Sequence, residues 1–386
     1  MADAAPDFAL VERLRRDAVR ELRHSGAPLT GDRLEEHVVR LIAEEHPGID
    51  EDAEDALVRA VLDEALGLGP LEALMRDPDV TEIMVVRPDL VFVERHGRVE
   101  PCGARFADAG HVMHVVDRIL SPLGRRVDEA GPMVDARLPD GSRVNVVIPP
   151  LAVDGPALTV RRFARERHTG EDLVRLGTLG ADVLAFLRGA VRDRLSILVS
   201  GGTGSGKTTT LAVLAGAAGP AERIVTIEDA AELRLSSGHV VRLEARPPSS
   251  QGAGEVTIRA LVRNALRMRP DRIVVGEVRG GEALDMLTAM TTGHAGSLST
   301  IHASSPHEAM RRLALLASMA DVDAPYAAIT QQVASAIDLV VHQERAADGS
   351  RRVSSVHRVA DGDPWTLVPL TGDGDGPVGI RGDPDD

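Results

Sequence analysis

Residues 201–208, Gly201-Gly202-Thr203-Gly204-Ser205-Gly206-Lys207-Thr208, fit the pattern G-x-x-x-x-G-K-[ST]. They stand between an apolar run, LSILVS, and a helix-prone segment, TTTLAVLAGAA. That context fixes a local architecture: a strand, a glycine-rich turn whose backbone N–H groups face inward, and a helix whose N-terminus adds positive charge. Lys207 is expected to reach β and γ phosphates and the Thr208 hydroxyl to bind Mg²⁺, with Thr209 continuing the phosphate-binding turn. The cofactors the pattern calls for are ATP and Mg²⁺. The chain has 44 basic side chains but a single lysine, and that lysine is Lys207.

A nucleotide site narrows function only so far, and composition removes some of the remaining classes. With 59 acidic residues the net charge is −15, the wrong sign for a protein that coats nucleic acid. The start, MADAAPDFALVERLRRDAVR, is acidic early and lacks the apolar segment of a secretory signal. No stretch approaches the roughly 18 apolar residues that span a bilayer. The expected location is therefore cytoplasmic, with membrane attachment only through partners. The single cysteine, Cys102, excludes an intramolecular disulfide and a cysteine-built zinc site.

Apolar residues recur at helical spacing near the N-terminus, as in Leu10, Leu14, Val19 and Leu22 and then Leu34, Val38, Leu41 and Ile42, which predicts a helical module over 1–66. From Gly67 the pattern changes to short strand-like runs, VTEIMVV and LVFVER, and VDARLPDGSRVNVVI reads as a hairpin turning at Pro139-Asp140-Gly141. A small α/β domain is expected over 67–163 and a polar connector over 164–180. Strands and helices then alternate through RIVTIE, RIVVGE and SLSTIH, which predicts a mainly parallel sheet flanked by helices over 181–345. A strand extension follows over 346–370. The tail from 371, rich in Gly, Pro and Asp, is expected to be disordered.

Two further apolar strands end in acids. Arg272-Ile273-Val274-Val275-Gly276-Glu277 has the shape of a Walker B segment, so Glu277 is a candidate to orient or deprotonate an attacking water. Most P-loop enzymes carry Asp where this chain has Gly276. Ile224-Val225-Thr226-Ile227-Glu228-Asp229 offers a replacement, since a neighbouring strand would bring Glu228 beside the metal. His302, at the end of SLSTIH, can sense the γ-phosphate or hold Glu277. His294, in the preceding Gly-rich loop, reads equally well as structural.

In this order, GLGPLEALMRDPDVTEIMV, GRRVDEAGPMVDARLPDGSRVN, GGTGSGKTTT, TIEDAAELRL, LVRNALRMRPDRIVVGEVRGGEALDMLTAM and TGHAGSLSTIHASSP resemble the CpaF/TadA group of type II/IV secretion ATPases. TadA here means the pilus motor, not the tRNA deaminase. The resemblance covers about residues 65 to 345. It implies an α/β fold with a RecA-like P-loop domain, a smaller PAS-like α/β N-terminal domain and an N-terminal helical module. It implies a Walker B segment that characteristically lacks the aspartate, with Glu228 near metal and water, Glu277 as the main catalytic carboxylate and His302 as γ-phosphate sensor. It further implies that N-terminal-domain arginines close over the nucleotide, the matching positions being Arg143 and Arg161; Arg263, Arg267 and Arg269 are candidates across a subunit boundary. Family members are hexameric motors that act on inner-membrane platform proteins, here TadB/TadC-like. Two departures stand out: Val85-Val86-Arg87-Pro88 in place of Val-Asn-Gly-Pro, and GHAG in place of GHDG.

The expectation is a hexameric ATPase powering assembly of a Tad/Flp-type pilus. A VirB11-like ATPase of a conjugation or effector channel would use the same chemistry. A RecA-like nucleic-acid translocase and a regulatory nucleotide-binding module are the rivals of other classes.

Overall fold

The computed structural model describes residues 8–26, 28–162, 168–235, 237–246, 254–360 and 363–371. The chain divides into two compact units, residues 1–164 and 165–386.

The first unit opens with three helices, α1 (Phe8–His24), α2 (Gly31–Glu45) and α3 (Glu51–Leu66). Val11, Leu14, Ala18 and Leu22 from α1 meet Leu34, Val38, Leu41 and Ile42 from α2 and Leu57, Val58 and Val61 from α3 in one apolar core, as the 3.6-residue spacing requires. After the short α4 (Glu72–Arg76) come β1 (Val80–Arg87), β2 (Leu90–Arg95) and β3 (Arg98–Pro101), then α5 (Ala109–Leu120), then β4 (Met133–Arg137), β5 (Arg143–Val147) and β6 (Ala157–Arg161). These six strands form one antiparallel sheet in the order β3-β2-β1-β6-β5-β4. The hairpin turning at Pro139-Asp140-Gly141 joins β4 to β5. Val112, Val115, Val116 and Ile119 of α5 cover the same apolar core as Ile83, Val93, Val144 and Val160 of the sheet.

The second unit begins earlier in structure than its polar sequence suggests. Within the stretch read as a connector, Thr169 and Asp172 form a capping box that starts α6 (Gly170–Arg175), and Leu173 and Leu179 are buried. Then follow α7 (Ala181–Arg192), β7 (Ile197–Gly201), α8 (Lys207–Ala215), β8 (Ile224–Glu228), β9 (Val240–Glu244), α9 (Ile258–Ala265), β10 (Arg272–Val275), α10 (Glu282–Thr291) and β11 (Leu298–His302). The chain continues through α11 (Pro306–Ser318), α12 (Tyr326–Ala336), β12 (Leu339–Arg345), β13 (Arg351–Ala360) and β14 (Asp363–Pro369).

Eight strands form one sheet in the order β14-β13-β12-β7-β11-β10-β8-β9, with β12 through β9 parallel and β13 and β14 antiparallel. Strands β7, β8 and β10 are buried along their whole length, as continuous apolar runs in a sheet covered on both faces must be. Leu198, Val225, Ile273 and Val275 face one core with α9 to α12; Ile197, Val199, Ile224 and Val274 face the other with α7 and α8. The extension read as separate from the ATPase domain, β13 and β14, is part of this sheet. Thr371, expected in the disordered tail, is buried and its hydroxyl accepts the Val356 N–H at 3.0 Å; 372–386 lie outside the described residues. Among the described residues no helix is long and apolar enough to cross a membrane.

Candidate functional site

Parallel pairing puts the C-terminal ends of β7, β11, β10 and β8 side by side, where ligands of open α/β sheets bind. Each end carries a residue singled out above: Gly201, His302, Glu277 just past β10, and Glu228. The loop from Gly201 to Gly206 turns back to start α8, and Gly206 sits at the helix N-cap with φ +94°, a left-handed geometry that favours glycine. Lys207 is buried, and its Nζ donates to the carbonyls of Gly201 (3.1 Å) and Gly202 (2.8 Å). Burial holds its pKa below the usual lysine value, against the pull of the Glu277 carboxylate. Thr208 and Thr209 follow in the first turn of α8 and remain partly accessible. The Ser205 hydroxyl donates to Gly202 O at 2.9 Å, inside the loop.

The catalytic candidates form a chain of contacts along this edge. Thr203 Oγ1 lies 3.0 Å from His302 Nε2, and His302 Nδ1 lies 3.5 Å from Glu277 Oε1. Glu277 Oε2 accepts from Arg279 Nη2 at 2.6 Å, and Arg279 Nη1 reaches Asp229 at 3.3 Å. Burial works to raise the Glu277 pKa, but the guanidinium of Arg279, with Lys207 and His302, outweighs it and holds the carboxyl below its ordinary range. Glu277 is thus an ionised group beside the P-loop, able to order a water or take its proton.

Glu228 reaches the same edge in a different state. Its carboxylate accepts N–H groups of Glu232 (3.0 Å) and Leu233 (2.9 Å), so it ties down the loop that follows β8. Only 3% of Glu228 is exposed, and burial pushes its pKa up to about 7. The missing Walker B aspartate has a steric reason here. A Cβ at Gly276 would lie 2.8 Å from Glu228 Cγ and 3.4 Å from its Cβ, so any larger residue at 276 competes with Glu228 for one space.

Arg143 and Arg161 belong to the first unit, where they oppose each other across β5 and β6. Arg263 donates to Asp285 at 2.8 Å, sharing that carboxylate with Arg259 at 2.7 Å. Arg269 has φ +54°, and both it and Arg267 lie after α9. The Nδ1 of His294 is buried, and its backbone carbonyl accepts the Ser297 hydroxyl at 2.7 Å.

Sequence reasoning missed three features of the site. Arg279 and Asp229 were inside recognised segments, yet nothing marked them as partners of Glu277. Strand β12 was read inside the domain over 181–345 and β13 in the extension beyond it, with nothing marking their hairpin as part of the site, whereas Gln343 of β12 pairs in register with Gly201 and its Oε1 accepts the Thr210 hydroxyl at 2.8 Å. A Cβ on Gly201 would run into the Gln343 carbonyl oxygen. The buried Ser200 Oγ also lies 2.9 Å from His342 Nδ1 of β12.

A family profile described as type II/IV secretion system protein matches residues 64–357. A Mycobacterium tuberculosis protein named for conjugal transfer is 42% identical over 310 residues, covering 78% of this chain and 87% of the relative. The type IV secretion system protein PtlH of Bordetella pertussis is 39% identical over 302 residues, covering 71% of this chain and 88% of that protein. In fold, the Legionella pneumophila ATPase DotB superposes with a TM-score of 0.53 at 21% identity, over 73% of this chain and 78% of that one. The chain belongs to the type II/IV secretion system protein family.

Proposed function

We propose that the chain is an ATP-hydrolysing motor that powers assembly of a Tad/Flp-type pilus, working as a homohexamer against inner-membrane platform proteins of TadB/TadC type. The observation that carries the hydrolytic part is the run Thr203–His302–Glu277–Arg279 beside Lys207. The pilus assignment rests on the motif blocks resembling the CpaF/TadA group. The relatives named for conjugal transfer and type IV secretion favour the second reading, a VirB11-like ATPase of a secretion channel. Pilin, prepilin-peptidase and platform genes beside this one would decide for the pilus. The net charge of −15 speaks against a nucleic-acid translocase.

The residues present fit ATP with Mg²⁺. Lys207 holds neutral loop carbonyls that a phosphate chain can replace. Thr208, Glu228, Glu277 and Asp229 supply only hard oxygen donors, the set Mg²⁺ prefers. Bound Mg²⁺ would neutralise charge on the β and γ phosphates. Thr208 and Glu228 would hold the metal and its water shell, and Lys207 would hold the β and γ oxygens. Glu277 would take the proton of the attacking water while His302, hydrogen-bonded to Thr203, senses the γ-phosphate. Arg143 and Arg161 would neutralise developing charge on the transferred group, as arginine fingers do.

The test is ATP hydrolysis across a size-exclusion peak with light scattering, for the wild type, Glu277→Gln and Lys207→Ala. The reading expects turnover in a hexamer-sized peak, turnover lost but ATP binding kept in Glu277→Gln, and both lost in Lys207→Ala. A monomer without turnover, indifferent to both changes, would sink it.

A further inference from the structure

The sheet order gives the nucleotide site two flanks. Strands β11, β10 and β8 lie to one side of β7 and carry His302, Glu277 and Glu228; β12 and its hairpin partner β13 lie to the other. The carboxylate flank is claimed by the γ end of a nucleotide, because Lys207 and Glu277 act there on the reading above. A phosphate chain lying along the loop must then leave its α-phosphate and nucleoside toward the β12–β13 flank.

That flank presents two arginines to the loop. Arg345, last in β12, and Arg351, first in β13, stand directly opposite each other at the turn of the hairpin. Both are exposed. Arg351 Nε donates to Gly204 O at 3.0 Å, and its Cδ lies 3.3 Å from where a Cβ on Gly206 would sit. Arg345 Nη1 lies 3.2 Å from the corresponding point on Gly204. The two guanidinium groups converge on a loop whose expected ligand is an anion. With only Nε engaged by Gly204, the two Nη groups of Arg351 keep a planar fork suited to phosphate oxygens. The anchoring of β12 beneath the loop, through Gln343 and Thr210, fixes the height of the hairpin relative to the phosphates.

We propose that Arg345 and Arg351 form a second cationic clamp of the nucleotide site, one that holds the α-phosphate end of ATP and ADP alike from within the same subunit. The inference rests on the P-loop reading and adds residues to it from a segment that carried no recognised motif.

The experiment is calorimetric titration of the full chain with ADP and with slowly hydrolysed ATPγS, for the wild type, Arg345→Gln, Arg351→Gln and Arg351→Lys, with thermal unfolding of each. Loss of a charge-assisted contact should weaken binding by at least about tenfold. Both Gln variants should weaken ADP and ATPγS by the same factor, with unchanged unfolding temperatures and partial recovery in Arg351→Lys. Unchanged affinities would overturn the clamp and leave the ATPase reading intact. A loss confined to ATPγS would overturn it by placing the guanidinium at the γ end. Weaker binding with lowered unfolding temperature and no recovery in Arg351→Lys would reduce Arg351 to a buttress of Gly204. A wild type that binds neither nucleotide would remove the P-loop reading itself.

Discussion

Gly276→Ala tests the packing on which the catalytic edge is built. The new methyl would arrive 2.8 Å from Glu228 Cγ, 3.4 Å from its Cβ and 3.5 Å from Oε1. Because the crowded atoms are the root of a buried side chain, they cannot swing aside freely. Overpacking of this kind costs about 1–3 kcal/mol, and displacing the carboxylate from the Glu232 and Leu233 N–H groups moves the cost to the upper part of that range. For a unit of roughly 200 residues, 2–3 kcal/mol lowers the unfolding temperature by about 4–12 °C. Differential scanning calorimetry reads it. Gly189, inside α7 with open space around a Cβ, supplies the opposite sign, since Ala there should stabilise by about 0.5–1 kcal/mol. The decisive arm is a double-mutant cycle. Glu228→Ala removes Cγ, so Gly276→Ala should cost little in that background. Equal costs in both backgrounds would refute the argument that Gly276 exists to make room for Glu228.

Glu228 also sets a pH dependence. Burial raises its pKa from 4.5 to about 7, so the folded chain binds a proton that the unfolded chain releases. The stability this gives is fully present below about pH 4.5 and is lost as pH rises through about 7. Glu228→Gln, which cannot ionise, should gain on the wild type by on the order of 3 kcal/mol between pH 5 and pH 9, read from urea midpoints; parallel profiles would contradict it. Arg279→Gln removes the guanidinium that holds Glu277 below its ordinary range, so the acid limb of the pH–rate profile should move to higher pH and kcat should fall about tenfold or more. Arg279→Lys should restore part of both, and an unmoved acid limb would show that Arg279 does not act through Glu277.

What could be read from the sequence was what chemistry or period makes local. The P-loop is legible because glycines, Lys207 and Thr208 must follow one another, and the N-terminal helices because Leu14, Leu22, Leu34 and Val38 keep a 3.6-residue beat. Buried strands such as β8 and β10 show as apolar runs. Strand β9 was not foreseen, since its residues are only partly buried at the sheet edge. Arg279 was invisible for another reason: in a chain of many arginines, one exposed guanidinium carries no signature of its partner. The hairpin beside the P-loop was missed because its place depends on β12 pairing with β7, a contact between segments about 140 residues apart that no local pattern encodes.

The two carboxylates at the ends of β8 and β10 start from the same side-chain chemistry and are driven apart by their surroundings. Glu277 is ringed by cations, with Arg279 at 2.6 Å, so it stays charged. Glu228 is enclosed, has backbone N–H groups as its direct partners, and sits near half-protonation at neutral pH. Divergent environments of this kind separate roles in an active site. On the proposed function, Glu277 is charged and able to act as a base before nucleotide arrives. Glu228 is tied by the N–H groups of Glu232 and Leu233 to the loop after β8, where Asp229 is the outer partner of Arg279. One loop thus connects the partners of both carboxylates, and a larger residue at 276 would compete for the space that the Glu228 side chain fills.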